Sequence, residues 1–290
     1  MKHWKPAAIA ALWSGALYAA PMPVVASFSI LGDVAQQIGG ERVAVQSLVG
    51  ANQDAHAYNL TSSDIKKIRE ARLVLLNGLG LEKAELQRAV KQSKVASAEA
   101  TAGIKPLAAD EHHHEHNHGH DHDHGEFDPH VWNDPVLMQR YAANVAIALI
   151  KADPAGSRYY QQRFKDYQNV LNQLNNYANQ QFGAVAPAKR KVLTGHDSFA
   201  YLGKRYQVKF ISPQGVSSEA EPSARQIAAI IRQIKAENVK AVFTENIKDG
   251  RMIARIAKET GVKVSGGLYA DALSSGAPAG TYADMFRYNV

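Results

Sequence analysis

The 290 residues carry 12 histidines, distributed very unevenly. Eight lie among the thirteen residues from His112 to His124: His112, His113, His114, His116, His118, His120, His122 and His124, interspersed with Glu115, Asp121 and Asp123. Neutral imidazole is the commonest metal ligand, so such a tract can chelate zinc, nickel or copper with shifting, unselective coordination. A polar, glycine-containing stretch buries too little to offset its ordering entropy, so a disordered loop over 111–126 with secondary weak metal sites is expected. A tight site needs ligands held by a fold. Outside the tract and the first twenty residues only His56, His130 and His196 remain. Three imidazoles leave one position of a tetrahedral zinc site open, and a carboxylate oxygen at about 2.0–2.2 Å suits it. Asp271 is the best candidate by position, with Glu245 and Asp197 as alternatives.

The elements that must position these residues alternate between short apolar runs and longer helical patterns, which predicts α/β units with mostly parallel sheets. Strands are expected at Val24–Leu31, Val43–Val49, Leu73–Asn77, Lys191–Thr194, Gln207–Ile211, Ala241–Thr244 and Val262–Ser265. Helices are expected at Asp33–Ile38, Ser62–Ala71, Leu81–Gln92, Pro135–Ala152, Ser198–Arg205, Ser223–Glu237 and Gly250–Thr260. Between the halves, Tyr160, Phe164, Tyr167, Leu171, Leu174 and Tyr177 recur at three- and four-residue spacing. That spacing predicts one long amphipathic helix over 153–183, a spine of about 40 Å joining two lobes. Each histidine follows a predicted strand or extended segment and precedes a predicted helix. Ligands of open α/β sheets bind at the carboxyl ends of the strands, so the three loops can face one cleft.

The chain length fits two compact domains, here an N-terminal lobe over 21–152 and a C-terminal lobe over 184–290. Hydrophobic residues at 46% and charged residues at 21% are ordinary for a packed soluble body. Residues 1–20 are set apart. Lys2 and Lys5 precede an uncharged apolar run from Ala7 to Ala20, which reads as a secretory signal peptide with cleavage near 19–26. A cut after Ala26 would truncate the first strand, which favours Ala19 or Ala20. There is no cysteine, so neither disulfide nor thiolate ligand nor lipid-bearing thiol is available; a freely diffusing periplasmic protein, not a lipoprotein, is expected. The formal charge of +6 comes without a Lys/Arg run, so no nucleic-acid partner is indicated.

Several separated segments together resemble one family. They are Phe28-Ser29-Ile30-Leu31-Gly32-Asp33, Asp54-Ala55-His56-Ala57-Tyr58 with Ser63-Asp64, and Asp128-Pro129-His130-Val131-Trp132. Thr194-Gly195-His196-Asp197-Ser198-Phe199, Glu221-Pro222-Ser223 and Leu268-Tyr269-Ala270-Asp271 follow in order. The chain resembles the zinc- and manganese-specific solute-binding proteins of ABC importers, the ZnuA/TroA-like group (cluster A-I, or cluster 9). The resemblance implies two α/β lobes joined by a long helix, with the metal in the interlobe cleft. It implies His56 and His130 as ligands from the first lobe and His196 and Asp271 from the second. Manganese-type members commonly carry glutamate where His196 stands, so the resemblance points to Zn(II) ahead of Mn(II). A histidine-rich loop before His130 is typical of zinc members. Implied partners are an ABC importer membrane permease and a periplasmic metallochaperone, with the receptor itself a monomer. The chain ends at Val290 soon after Phe286, so a short final helix is expected.

Two rival readings differ in kind. Three ligands plus an open position would also describe a zinc hydrolase, but the sequence has no His-Glu-x-x-His helix. The one His-Glu-x-x-His string, His114 to His118, lies inside the tract expected as a disordered loop and not on a helix, and if Asp271 closes the coordination sphere no position is left for an activated water. A periplasmic zinc buffer, or an adhesin of the same fold, would instead make the tract the working part. Deleting it separates these, because a receptor keeps one tight equivalent and a buffer loses nearly all binding.

Overall fold

The computed structural model describes residues 20–109 and 127–290. The expected leader, Ala20 excepted, and the tract expected as a disordered loop over 111–126 lie outside the described residues. The first lobe runs β1 (Met22–Phe28), α1 (Ser29–Gly39), β2 (Val43–Val49), α2 (Ser62–Glu70), β3 (Leu73–Leu76), α3 (Ala84–Ser93), β4 (Ala96–Glu99) and α4 (Leu137–Ala152). After α5 (Ser157–Gly183) the second lobe runs β5 (Lys191–Leu193), α6 (Ala200–Tyr206), β6 (Lys209–Ile211), α7 (Ala224–Glu237), β7 (Ala241–Glu245), α8 (Arg251–Thr260), β8 (Gly266–Leu268) and α9 (Tyr282–Asn289). The two sheets are wholly parallel and share one topology, in orders β2-β1-β3-β4 and β6-β5-β7-β8. Their strands therefore present carboxyl ends along one edge per lobe.

Helix starts are set by short polar side chains. The Thr61 hydroxyl accepts from the Asp64 amide and the Asp64 carboxylate accepts from the Thr61 amide; Ser223 and Gln226 repeat this reciprocal cap on α7. Asp134 receives the amides of Val136 and Leu137, so α4 begins at Leu137. Beyond shifts of a few residues at helix and strand ends, four assignments differ from expectation. The apolar run Val24–Leu31 divides, because Ile30, Leu31, Val34, Ala35 and Ile38 bury one helical face and α1 therefore starts at Ser29. There Gly32 lets α1 lie against β2, since a Cβ would sit 2.2 Å from the Ser47 hydroxyl oxygen. Edge strand β4 was not expected, because its Ala-Ser-Ala-Glu sequence is largely exposed and carries little strand propensity. The last strand is Gly266–Leu268, not Val262–Ser265: Gly261 at φ +72° closes α8, and pairing with Phe243–Glu245 selects the glycines. Residues Pro154–Gly156 form a separate 3₁₀ turn ahead of α5.

The long helix α5 spans 27 residues, about 40 Å. It buries Tyr160, Tyr167, Leu171, Leu174 and Ala178 against α1 and α4 of the first lobe and α6 and α9 of the second. The main core crosses between lobes through Phe28, Trp132, Tyr160, Phe199, Tyr282 and Phe286. A smaller core lies at the far side of each sheet, around Val25, Ile68 and Val74 in the first lobe and Val242, Ile253 and Ile256 in the second. A shared apolar core on the spine side resists rigid-body opening there.

Candidate metal centre

Four loops at the carboxyl edges of the two sheets bring His56, His130, His196 and Asp271 together. His56 follows β2, in a loop shaped by Asp54, whose Oδ1 accepts from the amides of His56 at 2.9 Å and Ala57 at 3.3 Å. His130 precedes a 3₁₀ turn; Asp128 Oδ1 accepts its amide at 2.9 Å and lies 2.6 Å from its Nδ1. His196 follows β5, beside the end of β7. There Glu245 accepts from the amides of Gly195 and His196 at 2.9 and 3.1 Å, and its Oε2 lies 2.6 Å from His196 Nδ1. Gly195 favours that approach, because a Cβ there would come within 3.1 Å of the Glu245 carboxyl group and press it back by a few tenths of an ångström. Asp271 follows β8. The Trp132 indole donates to the Ala270 carbonyl at 2.8 Å and the Leu273 amide donates to the Ser29 hydroxyl at 3.0 Å, so first-lobe groups hold both sides of it.

The donor atoms lie within 4.8 Å of one another. His56 Nε2 is 3.2 Å from His130 Nε2 and 3.5 Å from Asp271 Oδ2. His130 Nε2 is 3.4 Å from Asp271 Oδ1, and His196 Nε2 is 3.1 Å from Asp271 Oδ2. Ligands about 2.0–2.1 Å from a tetrahedral ion stand roughly 3.3–3.4 Å from each other, which falls within the spread of these separations. His130, His196 and Asp271 are fully buried and His56 is 6% exposed. Both Asp271 carboxylate oxygens and His196 Nε2 lack a hydrogen-bond partner of acceptable geometry; the 3.1 Å approach between His196 and Asp271 is close but misaligned. Buried polar atoms left unpaired are costly, and a cation among them removes the cost. The residues present fit a divalent metal.

Protonation is arranged to suit. Carboxylates behind His130 and His196 fix each Nδ1 as the protonated nitrogen and leave Nε2 facing the centre. Burial lowers His56 to about 3; the attraction of Asp271 opposes this, and repulsion from His130, His196 and Lys248 adds to it. At His196 burial works in the same direction but is outweighed by Glu245 and Asp271, which raise it well above the usual imidazole range. Burial would raise Asp271, yet the three imidazoles hold it well below the ordinary carboxylate range. Of the alternatives weighed from sequence, Glu245 stands behind His196 without joining the cluster. Asp197 is half-buried outside it, its amide donating to the Gly215 carbonyl. The eight tract histidines lie outside the described residues. Sequence reasoning passed over Asp54 and Asp128, although both stand two residues before a histidine, a spacing that could have revealed them.

A family described as zinc-uptake complex component A, periplasmic, matches residues 24–290. The manganese-binding lipoprotein MntA of Bacillus subtilis is 32% identical over 279 residues, covering 93% of this chain and 87% of that protein. The iron-binding protein YfeA of Yersinia pestis is 29% identical over 268 residues, covering 92% and 83%. Among solved structures, the periplasmic zinc-binding protein TroA of Treponema pallidum superposes with a TM-score of 0.84 at 26% identity, covering 93% of this chain and 96% of that one. The manganese-bound periplasmic metal-binding protein of Candidatus Liberibacter asiaticus gives 0.78 at 29% identity, covering 92% and 96%. Among the described residues no helix is long and apolar enough to cross a membrane.

Proposed function

We propose, from the premise that this chain belongs to the ZnuA family of periplasmic metal-binding components of ABC importers, that it captures Zn(II) in the interlobe site and delivers it to a membrane permease. The observation that carries this is the set of 3.1–3.5 Å separations among four buried donors, with three of their atoms otherwise unpaired. His56, His130 and His196 supply neutral Nε2 donors and Asp271 supplies the carboxylate. Four protein ligands leave no position for an activated water, which supports a carrier and not a hydrolase. Three imidazoles and one carboxylate suit zinc better than manganese, which prefers oxygen. The manganese reading has its own support, since relatives of comparable identity are named for manganese. Elements measured by mass spectrometry on untagged protein from its native compartment decide between them: one equivalent of zinc supports the proposal, and one of manganese overturns the choice of metal.

The chain's own residues perform the capture. Asp128 and Glu245 hold the imidazoles ready to bind, so little reorganisation accompanies binding. Burial excludes competing water. The proton that His196 retains in the metal-free site must leave, and mild acid therefore opposes loading. The tract from His112 to His124 is assigned weak secondary binding that raises local metal concentration. Its deletion should leave one tight equivalent, whereas near-complete loss of binding would make this a buffer. Without cysteine the chain offers no thiol to acylate, so free diffusion in the periplasm as a monomer is proposed, in contrast to the relatives named as lipoproteins. A metallochaperone that supplies metal is a further proposed partner, checked by transfer from a zinc-loaded periplasmic extract.

A further inference from the structure

Ser218, in the loop between β6 and α7, stands outside the quartet of donors and donates its hydroxyl to Asp54 Oδ2 at 2.5 Å across the cleft. The other oxygen of Asp54 holds the amides of His56 and Ala57. Although it sits in a surface loop between half-buried Ser217 and exposed Glu219, Ser218 is completely buried. Its carbonyl accepts from the Gln214 amide at 3.2 Å and from the Lys248 ammonium, and Gln214 also ties back to the Ala220 carbonyl at 2.8 Å. The second-lobe loop is thus closed on itself and presents one hydroxyl to the loop bearing His56.

His56 is the single member of the quartet with measurable exposure, and it lies in the irregular stretch between β2 and α2. The other three donors are backed by the shared core and by Trp132, Glu245 and Asp128. The least obstructed way out for an ion therefore passes His56, and moving His56 requires Asp54 to part from Ser218. The neighbouring Lys83–Glu219 ion pair also crosses the cleft, at 2.7 Å. Glu219 is about half exposed there, which makes the pair a weak tie. A hydroxyl donating to a carboxylate is the stronger bond.

We propose that Ser218 is a positioning residue: through Asp54 it keeps the His56 loop fastened to the second lobe and sets the rate at which metal leaves. This rests on the capture-and-release reading above. The full-length protein and its Ser218→Ala variant are loaded with one equivalent of zinc and mixed with excess EDTA in a stopped-flow instrument. In parallel, amide hydrogen exchange is followed in the metal-free proteins. Ser218→Ala should keep one tight equivalent, release it roughly tenfold faster, and accelerate exchange at the His56 and Ala57 amides by a similar factor, with amides of α5 unchanged. On an Asp54→Ala background the same substitution should alter either rate by less than about twofold, because its partner is already gone. Wild-type rates in Ser218→Ala overturn the assignment. An undiminished effect on the Asp54→Ala background, or acceleration spread evenly along the chain, does so too. The exchange comparison uses no metal, so failure of the wild-type protein to hold one tight equivalent counts against the receptor reading alone.

Discussion

Replacing Glu245 by glutamine changes one atom and tests how the site is held ready. In the wild type Oε1 receives the amides of Gly195 and His196 while Oε2 receives the proton on His196 Nδ1 at 2.6 Å. Glutamine keeps an acceptor for the two amides and turns an N–H₂ group toward Nδ1. Two donors cannot face each other at that distance, so the imidazole must offer a lone pair from Nδ1 and carry its proton on Nε2. That is the nitrogen the metal needs: in the wild type its proton can leave while Nδ1–H stays bonded to Glu245, whereas in the variant metal binds only with Nδ1–H forced against the amide donors. Substitutions of groups that orient metal ligands typically cost about 10–100-fold in affinity, or about 1.4–2.7 kcal/mol. Three bonds converge on this carboxylate, which argues for the upper half of that range. Competition with a chromophoric chelator at pH 7.5 gives the affinity ratio, and thermal unfolding of the metal-free variant reports whether the fold survives. An affinity within twofold of wild type, with the fold intact, would refute the idea that Glu245 selects the tautomer of His196.

Four further outcomes follow from the same geometry. His56→Ala should weaken zinc by about 10²–10³-fold, one ligand's share of the roughly 10–16 kcal/mol of a four-ligand site, while the weak equivalents of the tract persist in equilibrium dialysis. Because His196 is raised and keeps its proton in the metal-free site, affinity should increase with pH across neutrality by about tenfold per unit, and calorimetry in two buffers of different ionisation heat should show about one proton released. For the metal-free fold the depressed His56 has the opposite leverage. The unfolded chain takes up that proton near pH 6.5 and the folded one only near 3, so this contribution is present above 6.5 and is lost as pH falls toward 3. The thermal midpoint should drop through that window, and His56→Gln should flatten the drop. Leu174→Ala, at a fully buried position on the spine-side face of α5, should cost about 2–5 kcal/mol and lower the unfolding midpoint of both lobes together, as read by circular dichroism.

Much of this arrangement was legible in the sequence because it rests on local pattern. The recurrence of Tyr160, Tyr167, Leu171 and Leu174 announces a helix with one buried face whatever surrounds it. The loops carrying His56 and His196 stand out because they follow β-branched apolar runs. The elements that escaped notice are those whose assignment depends on partners. Strand β4 exists because Leu73–Leu76 offers it a parallel edge, and β8 because Phe243–Glu245 selects Gly266–Leu268 in register. Composition alone favours neither. Within the site, residue type and loop position singled out three imidazoles and put Asp271 first among the carboxylates, but Glu245 and Asp197 could be set aside only once the distances between loops were in hand.

The same contrast separates the groups that bind from the groups that control binding. Imidazole and carboxylate side chains are chemically marked, and few others on the chain could take their place. Ser218 is one of many serines, and 164 positions separate it from Asp54, so nothing local distinguishes it. Its importance comes from an asymmetry of the fold. On the spine side Trp132, Tyr282 and Phe286 are shared by both lobes and buried from solvent, so opening there would expose a large apolar area at about 25 cal/mol for each Å². On the rim beside His56 the lobes meet through Asp54–Ser218, Lys83–Glu219 and the Asn52–Asn246 amide contact, each a polar tie that water can replace. A receptor built this way can hold its lobes fixed and still surrender its cargo, because the cost of release falls on a few hydrogen bonds at one edge of the cleft and not on the core.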